Sequence, residues 1–137
     1  MKFLVDANVL SEPTKPTPDE SVVRWLRENE AELGISSVVL GELEYGILLL
    51  PSSRRRTRLQ LWFDEGMKRL PLLDFDAKTA SAWAQLLARL KKKGLAMPIK
   101  DSLIAATALA HDLTVVTRDT NDFRHAGVPL VNPFDTR

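Results

Sequence analysis

Five carboxylates in this chain sit where an acid is hard to explain by solvation alone: Asp6, Glu42, Asp101, Asp119 and Asp122. Asp6 directly follows the apolar run Phe3-Leu4-Val5, and Asp119 lies just past Val115-Val116 with Asp122 one turn further on. Asp101 opens a helical stretch in which Ile104, Ala105 and Ala108 share its face, and Glu42 stands between Leu40 and Leu43 with Gly46 one turn along. Those two acids are expected to point inward. An inward carboxylate is costly unless it is paired, neutralised or metal-bound. Several at one place repel each other and resist ionisation until a divalent cation joins them. With no cysteine and two histidines, His111 and His125, thiolate and imidazole centres are excluded. An oxygen donor set favours Mg²⁺ or Mn²⁺ over zinc.

Each residue also has a structural use. Asp101 suits the positive end of a helix, and Asp119 and Asp122 suit turns. Asp6 has few such uses at the end of a buried strand. Asn8 either orients a ligand or caps the following turn, and Thr117 offers the site a hydroxyl or is a β-branched strand residue. Asp74 and Asp76 are explained by capping or surface positions, and Glu12 and Glu44 by solvation. Covalent catalysis has no support, since neither histidine lies near a suitable serine in any motif.

The elements that must position these acids are short apolar strands alternating with amphipathic helices. Strands are predicted at 3–5, 33–35, 72–73, 115–116 and 130–131. Helices are predicted after Asp19, carrying Val22, Val23, Trp25 and Leu26, and after Ser36 or Ser37, carrying Val39, Leu40, Leu43, Ile47 and Leu50 up to Pro51. Another runs from about 52 to 69 with Leu59, Trp62 and Phe63 inward. Asp76 caps a long helix through Ala80, Trp83, Leu87 and Leu90 to Gly94, and Pro98 precedes one containing Leu103, Ile104, Ala108 and Leu109. This alternation implies an α/β fold with a central parallel sheet flanked by helices, as one domain over residues 1–137. In such a sheet the strands' carboxyl ends share one edge, where ligands bind. Acids after the first and fourth strands belong there.

Composition agrees. Apolar residues are 45% and charged residues 27%, ordinary for a globular protein and wrong for a disordered one. The net charge of +1 gives no general attraction for nucleic acid, but Arg54, Arg55, Arg56 and Arg58 form a local basic knot for RNA phosphates or a partner, or else a solvated helix face. Lys91 to Lys93 suit a helix C-terminus. Asp6 interrupts the apolar start too early for a secretory signal, and Glu42 and Glu44 interrupt the longest apolar neighbourhood, so no membrane span is expected. The absence of cysteine suits a reducing cytoplasm.

The segments around the acids resemble the four motifs of PIN-domain nucleases, in particular VapC-type toxins of toxin–antitoxin modules. Leu4-Val5-Asp6-Ala7-Asn8-Val9-Leu10-Ser11-Glu12 is similar to the first, and Ser36 to Ile47, with Glu42, to the second. Asp101-Ser102-Leu103-Ile104-Ala105-Ala106 is similar to the third, and Thr117-Arg118-Asp119-Thr120-Asn121-Asp122-Phe123 to the fourth. The tail from Gly127 to Phe134 fits the FitB-like subgroup. Ser102 replaces the usual alanine, and having acids at both 119 and 122 leaves the fourth position a choice between them. The resemblance implies a PIN-like α/β/α fold and metal-dependent hydrolysis of RNA, with Asp6 and Asp101 on Mg²⁺ or Mn²⁺ and Glu42 and Asp119 or Asp122 beside them. It also implies a homodimer, a small VapB-like antitoxin covering the acids, and dimer or antitoxin contacts through the segment holding Arg54 to Arg58. Two other readings exist: a receiver-like phosphoacceptor domain, and a non-catalytic regulatory partner bound to DNA or antitoxin.

Overall fold

The structure is a computed structural model and describes residues 1–135. Its frame is a five-stranded, all-parallel sheet in the order β3-β2-β1-β4-β5, built from β1 (Phe3–Val5), β2 (Leu33–Ser36), β3 (Leu72–Leu73), β4 (Thr114–Val116) and β5 (Leu130–Val131). The three inner strands β2, β1 and β4 are apolar because both of their faces are covered. Leu4, Val5, Ile35, Val115 and Val116 have no exposed surface at all. β1 is central, with Phe3 in register with Leu33 on one side and Thr114 on the other. From β1 the chain first builds outward through β2 and β3, then crosses back to place β4 on β1's other side. The switch in strand order therefore falls between β1 and β4, where a crevice opens at the carboxyl edge.

The helices are α1 (Ala7–Leu10), α2 (Glu20–Glu28), α3 (Ser37–Leu48), α4 (Arg54–Glu65), α5 (Ala77–Lys92), α6 (Ile99–His111) and α7 (Thr120–Phe123). Their starts follow the expected side chains. Asp19 accepts the Ser21 N–H, Ser36 the Val39 N–H and Asp76 the Thr79 N–H, each satisfying an orphan donor of a first turn. The helix expected over 52–69 is shorter: Ser53 caps it through the Arg56 N–H, and Gly66 ends it before a 3₁₀ turn over Met67–Arg69. Its inward side chain is Phe63, with Leu59 and Trp62 only half-buried. The two four-residue helices α1 and α7 had no sequence signal, because one turn is too short to show a period.

α5 packs along α6, and α6 carries the densest buried face, with Ile104, Ala105, Ala106 and Ala108 fully covered. Ala80 and Leu109, both expected inward, are exposed, while Leu86 joins Leu90 in the core. No helix among the described residues is long and apolar enough to cross a membrane.

Candidate active site at the carboxyl edge of the sheet

Asp6 leaves β1 and caps α1, its Oδ1 accepting the Ala7 N–H at 2.8 Å. That corrects the expectation that this acid has few structural uses. Its other oxygen, Oδ2, accepts the Thr117 hydroxyl at 2.8 Å from the end of β4. Thr117 is fully buried, and the same Oγ1 accepts the Asp119 N–H at 3.0 Å. The reading of Thr117 as a plain strand residue is therefore wrong: its hydroxyl bridges the two central strand ends. Asn8 completes the link. Its Nδ2 donates to Asp119 Oδ2 at 3.0 Å and its Oδ1 accepts the Arg118 N–H at 3.2 Å. Of its two expected roles Asn8 takes the orienting one, while the capping belongs to Asp6.

Asp101 enters from the first turn of α6 and is 6% exposed, against 4% for Asp6. Burial, then the Asp6 and Asp122 charges, push its carboxyl up to about 6. Asp6 is also raised, chiefly by burial, with its bonds to Thr117 and Ala7 opposing the shift and Glu42 adding to it. These two acids thus lie within one another's field, as do Asp119 and Asp122 with Asp101. Asp122 acts on Asp101 more strongly than Asp119 does, whereas Asp119 is the one tied to Asn8 and Thr117, and both side chains are exposed. The fourth position stays shared.

Glu42 differs from the expectation of an inward acid. Its side chain is 30% exposed and Gly46, one turn on, faces open space. Glu42 Oε2 accepts Lys100 Nζ at 2.5 Å, while its Oε1 is buried with no hydrogen-bond partner. Lys100 was missed because no motif marks it; only its place beside Asp101 pointed to it. Glu12, expected to be solvated, is 4% exposed, accepting the Asp19 N–H and pairing with Lys15 at 2.9 Å. Burial works to raise its carboxyl, but those partners hold it below the ordinary value. In the basic knot, Arg54, Arg55 and Arg58 are exposed, but Arg56 donates to the Leu50 carbonyl and closes the α3–α4 turn.

Among the described residues, no three acids or histidines are gathered tightly enough to hold a metal ion between them. The acids reach one edge of the sheet, where Lys100 engages Glu42 and Asn8 engages Asp119. The residues nonetheless fit a hard divalent ion: the donors are all oxygens, and Glu42 Oε1 is a buried acceptor without a donor. A cavity of about 820 Å³ lined by Lys78, Gln85, Arg89 and Leu109 contains none of these acids.

The PIN domain family matches residues 3–129. This chain belongs to the PIN-domain family. Among its relatives is the "VapC ribonuclease Y4jK" of Sinorhizobium fredii, 36% identical and covering 97% of this chain and 98% of that protein. "Toxin FitB" of Neisseria gonorrhoeae is 38% identical over 96% of this chain and 98% of its own length. A crystal structure of FitAcB from the same organism superposes with a TM-score of 0.90 at 36% identity, covering 97% of this chain and 99% of that one. The expected PIN-like α/β/α fold and the VapC- and FitB-like resemblance both hold.

Proposed function

We propose that this PIN-domain protein is a Mg²⁺- or Mn²⁺-dependent endoribonuclease acting as the toxin of a toxin–antitoxin pair. The observation that carries the chemistry is the pair of almost fully buried aspartates, Asp6 and Asp101, brought from two distant elements to the switch point between β1 and β4. Two buried like charges raise each other's pKa and lower stability, an arrangement that favours a role in binding a cation. The family's relatives named ribonuclease and toxin supply the substrate class.

Asp6 and Asp101 would hold the ion, with Glu42 and either Asp119 or Asp122 supplying further oxygens. When bound, the ion offsets carboxylate–phosphate repulsion and acidifies a neighbouring water. Thr117 fixes the Asp6 carboxylate and Asn8 fixes Asp119, so neither acid has to reorganise when substrate arrives. Glu42 or Asp119 would accept a proton from the attacking water as its oxygen bonds to phosphorus, and the P–O bond to the leaving sugar oxygen would break, that oxygen taking a proton from solvent. Arg54, Arg55 and Arg58 stand free on α4 for RNA phosphates or a partner. A homodimer, a small VapB-like antitoxin and a cytoplasmic setting complete the reading. The exposed apolar side chains Tyr45 and Leu48 on α3, Leu49 at its C-cap and Leu61 on α4 support it, since exposed apolar surface favours a covering protein.

The test uses the chain purified without partner, on structured and unstructured RNAs, with Mn²⁺, Mg²⁺ or chelator. Wild type is expected to cut only with metal, and Asp6→Asn and Asp101→Asn to be inactive. Cleavage that survives both substitutions, or no cleavage of any RNA tried, overturns the reading.

A further inference from the structure

Lys100 is the second residue of α6, where the helix dipole disfavours a positive charge. It nevertheless reaches across to α3, placing Nζ 2.5 Å from Glu42 Oε2. It is also within the electrostatic reach of Asp6 and Asp101, the two buried acids of the candidate site. Glu42 is left with one oxygen on the ammonium and the other buried without a donor. A lysine at the wrong end of a helix, bonded to one acid and within the field of two buried ones, is poorly explained as a strut, because half-exposed ion pairs contribute little to stability.

We propose that Lys100 is the resident counter-cation of this site. In the metal-free protein its ammonium neutralises Glu42 and lessens the repulsion between Asp6 and Asp101. A divalent ion must displace it from Glu42, so Lys100 sets how tightly the site holds metal. This rests on the reading of the acids as metal ligands. A strut between α3 and α6 would make the opposite statement: its loss would weaken or spare metal binding, never strengthen it.

The experiment titrates Mn²⁺ into the metal-stripped full chain and reads free ion by electron paramagnetic resonance. Wild type is compared with Lys100→Met, Lys100→Gln and Lys100→Arg. The two neutral variants are expected to bind Mn²⁺ on the order of tenfold more tightly, because a like charge has been removed from the site, and Lys100→Arg to stay near wild type. Affinity unchanged or weakened in both neutral variants overturns the proposal, and so does absence of Mn²⁺ binding in wild type and variants alike. Should the neutral variants fail to fold, the wild-type chain carries the test by nuclear magnetic resonance. The Lys100 side-chain signals are expected to shift as Mg²⁺ saturates the site, and signals that stay fixed at saturation overturn the proposal. RNA cleavage is scored separately. Tighter Mn²⁺ binding without cleavage removes the nuclease reading alone, and cleavage with unaltered affinity removes this proposal alone.

Discussion

Two buried carboxylates oppose folding unless something neutralises them, and Asp101 shows how that works with pH. Its carboxyl sits at about 6 in the fold against 3.8 for an ordinary aspartate. A raised value means that its contribution to stability is fully present below pH 3.8 and is lost as pH rises through 6. In chelator at pH 7.5, Asp101→Asn is therefore expected to stabilise the protein by on the order of 2 kcal/mol, with little gain at pH 4. Paired thermal melts at the two pH values check this, and a lower melting temperature for the variant at pH 7.5 would count against it. Thr117 makes the opposite prediction. Thr117→Val leaves Asp6 Oδ2 and the Asp119 N–H without their buried partner, a loss of about 1–3 kcal/mol, with slower RNA cleavage; Thr117→Ser should retain both properties. Denaturant midpoints and initial rates measure the two effects. At this scale the acids were legible in sequence because an acid after a buried strand is conspicuous. Thr117 was not, because a threonine in a strand already has an explanation. Glu12 was not either, since its burial depends on Asp19 and Lys15 folding over it.

The elements were more legible than their orientation. Caps such as Asp19, Ser36 and Asp76 are local chemistry, and the strands are unbroken apolar runs, so both could be read before any contact was known. Which way a helix turns depends on its neighbours, and so Leu109 and Ala80 were misplaced while Leu86 was overlooked. One tertiary contact matters most for the site. Trp83 Nε1 on α5 donates to Ser102 Oγ at 2.9 Å, and Ser102 donates to the Ile99 carbonyl, fixing the first turn of α6 that carries Lys100 and Asp101. The serine that replaces the family's usual alanine is thus an anchor rather than a neutral exchange. Ser102→Ala is expected to cost about 1 kcal/mol and to shift the tryptophan emission, as measured by denaturant unfolding followed by fluorescence. At the other end of α6, Asp112 holds φ 56°, a left-handed conformation that glycine adopts without strain. Asp112→Gly should stabilise by about 0.5–1 kcal/mol, visible as a higher denaturant midpoint.

Over the whole molecule, the near-neutral charge means that the RNA of the proposed function would be attracted by local groups and not by the overall field. Replacing Arg54, Arg55 and Arg58 together by alanine is expected to raise KM for RNA and flatten its salt dependence, with kcat at saturation little changed and the melting temperature unmoved. A fall in kcat alone would show that the knot does not bind substrate. The sheet order has one more consequence, this time in the time domain. The Asp6–Thr117 bond joins residues 111 positions apart, because the central strand β1 pairs with β4, which is made only after β2, β3 and the helices between them. Contacts of such long span are slow to form and come after the local helices. A nascent or prematurely terminated chain that lacks β4 has Asp6 without its Thr117 partner, and it has no switch-point crevice. The site therefore comes into being only after β4 has been made, so a chain interrupted before that strand carries no assembled site.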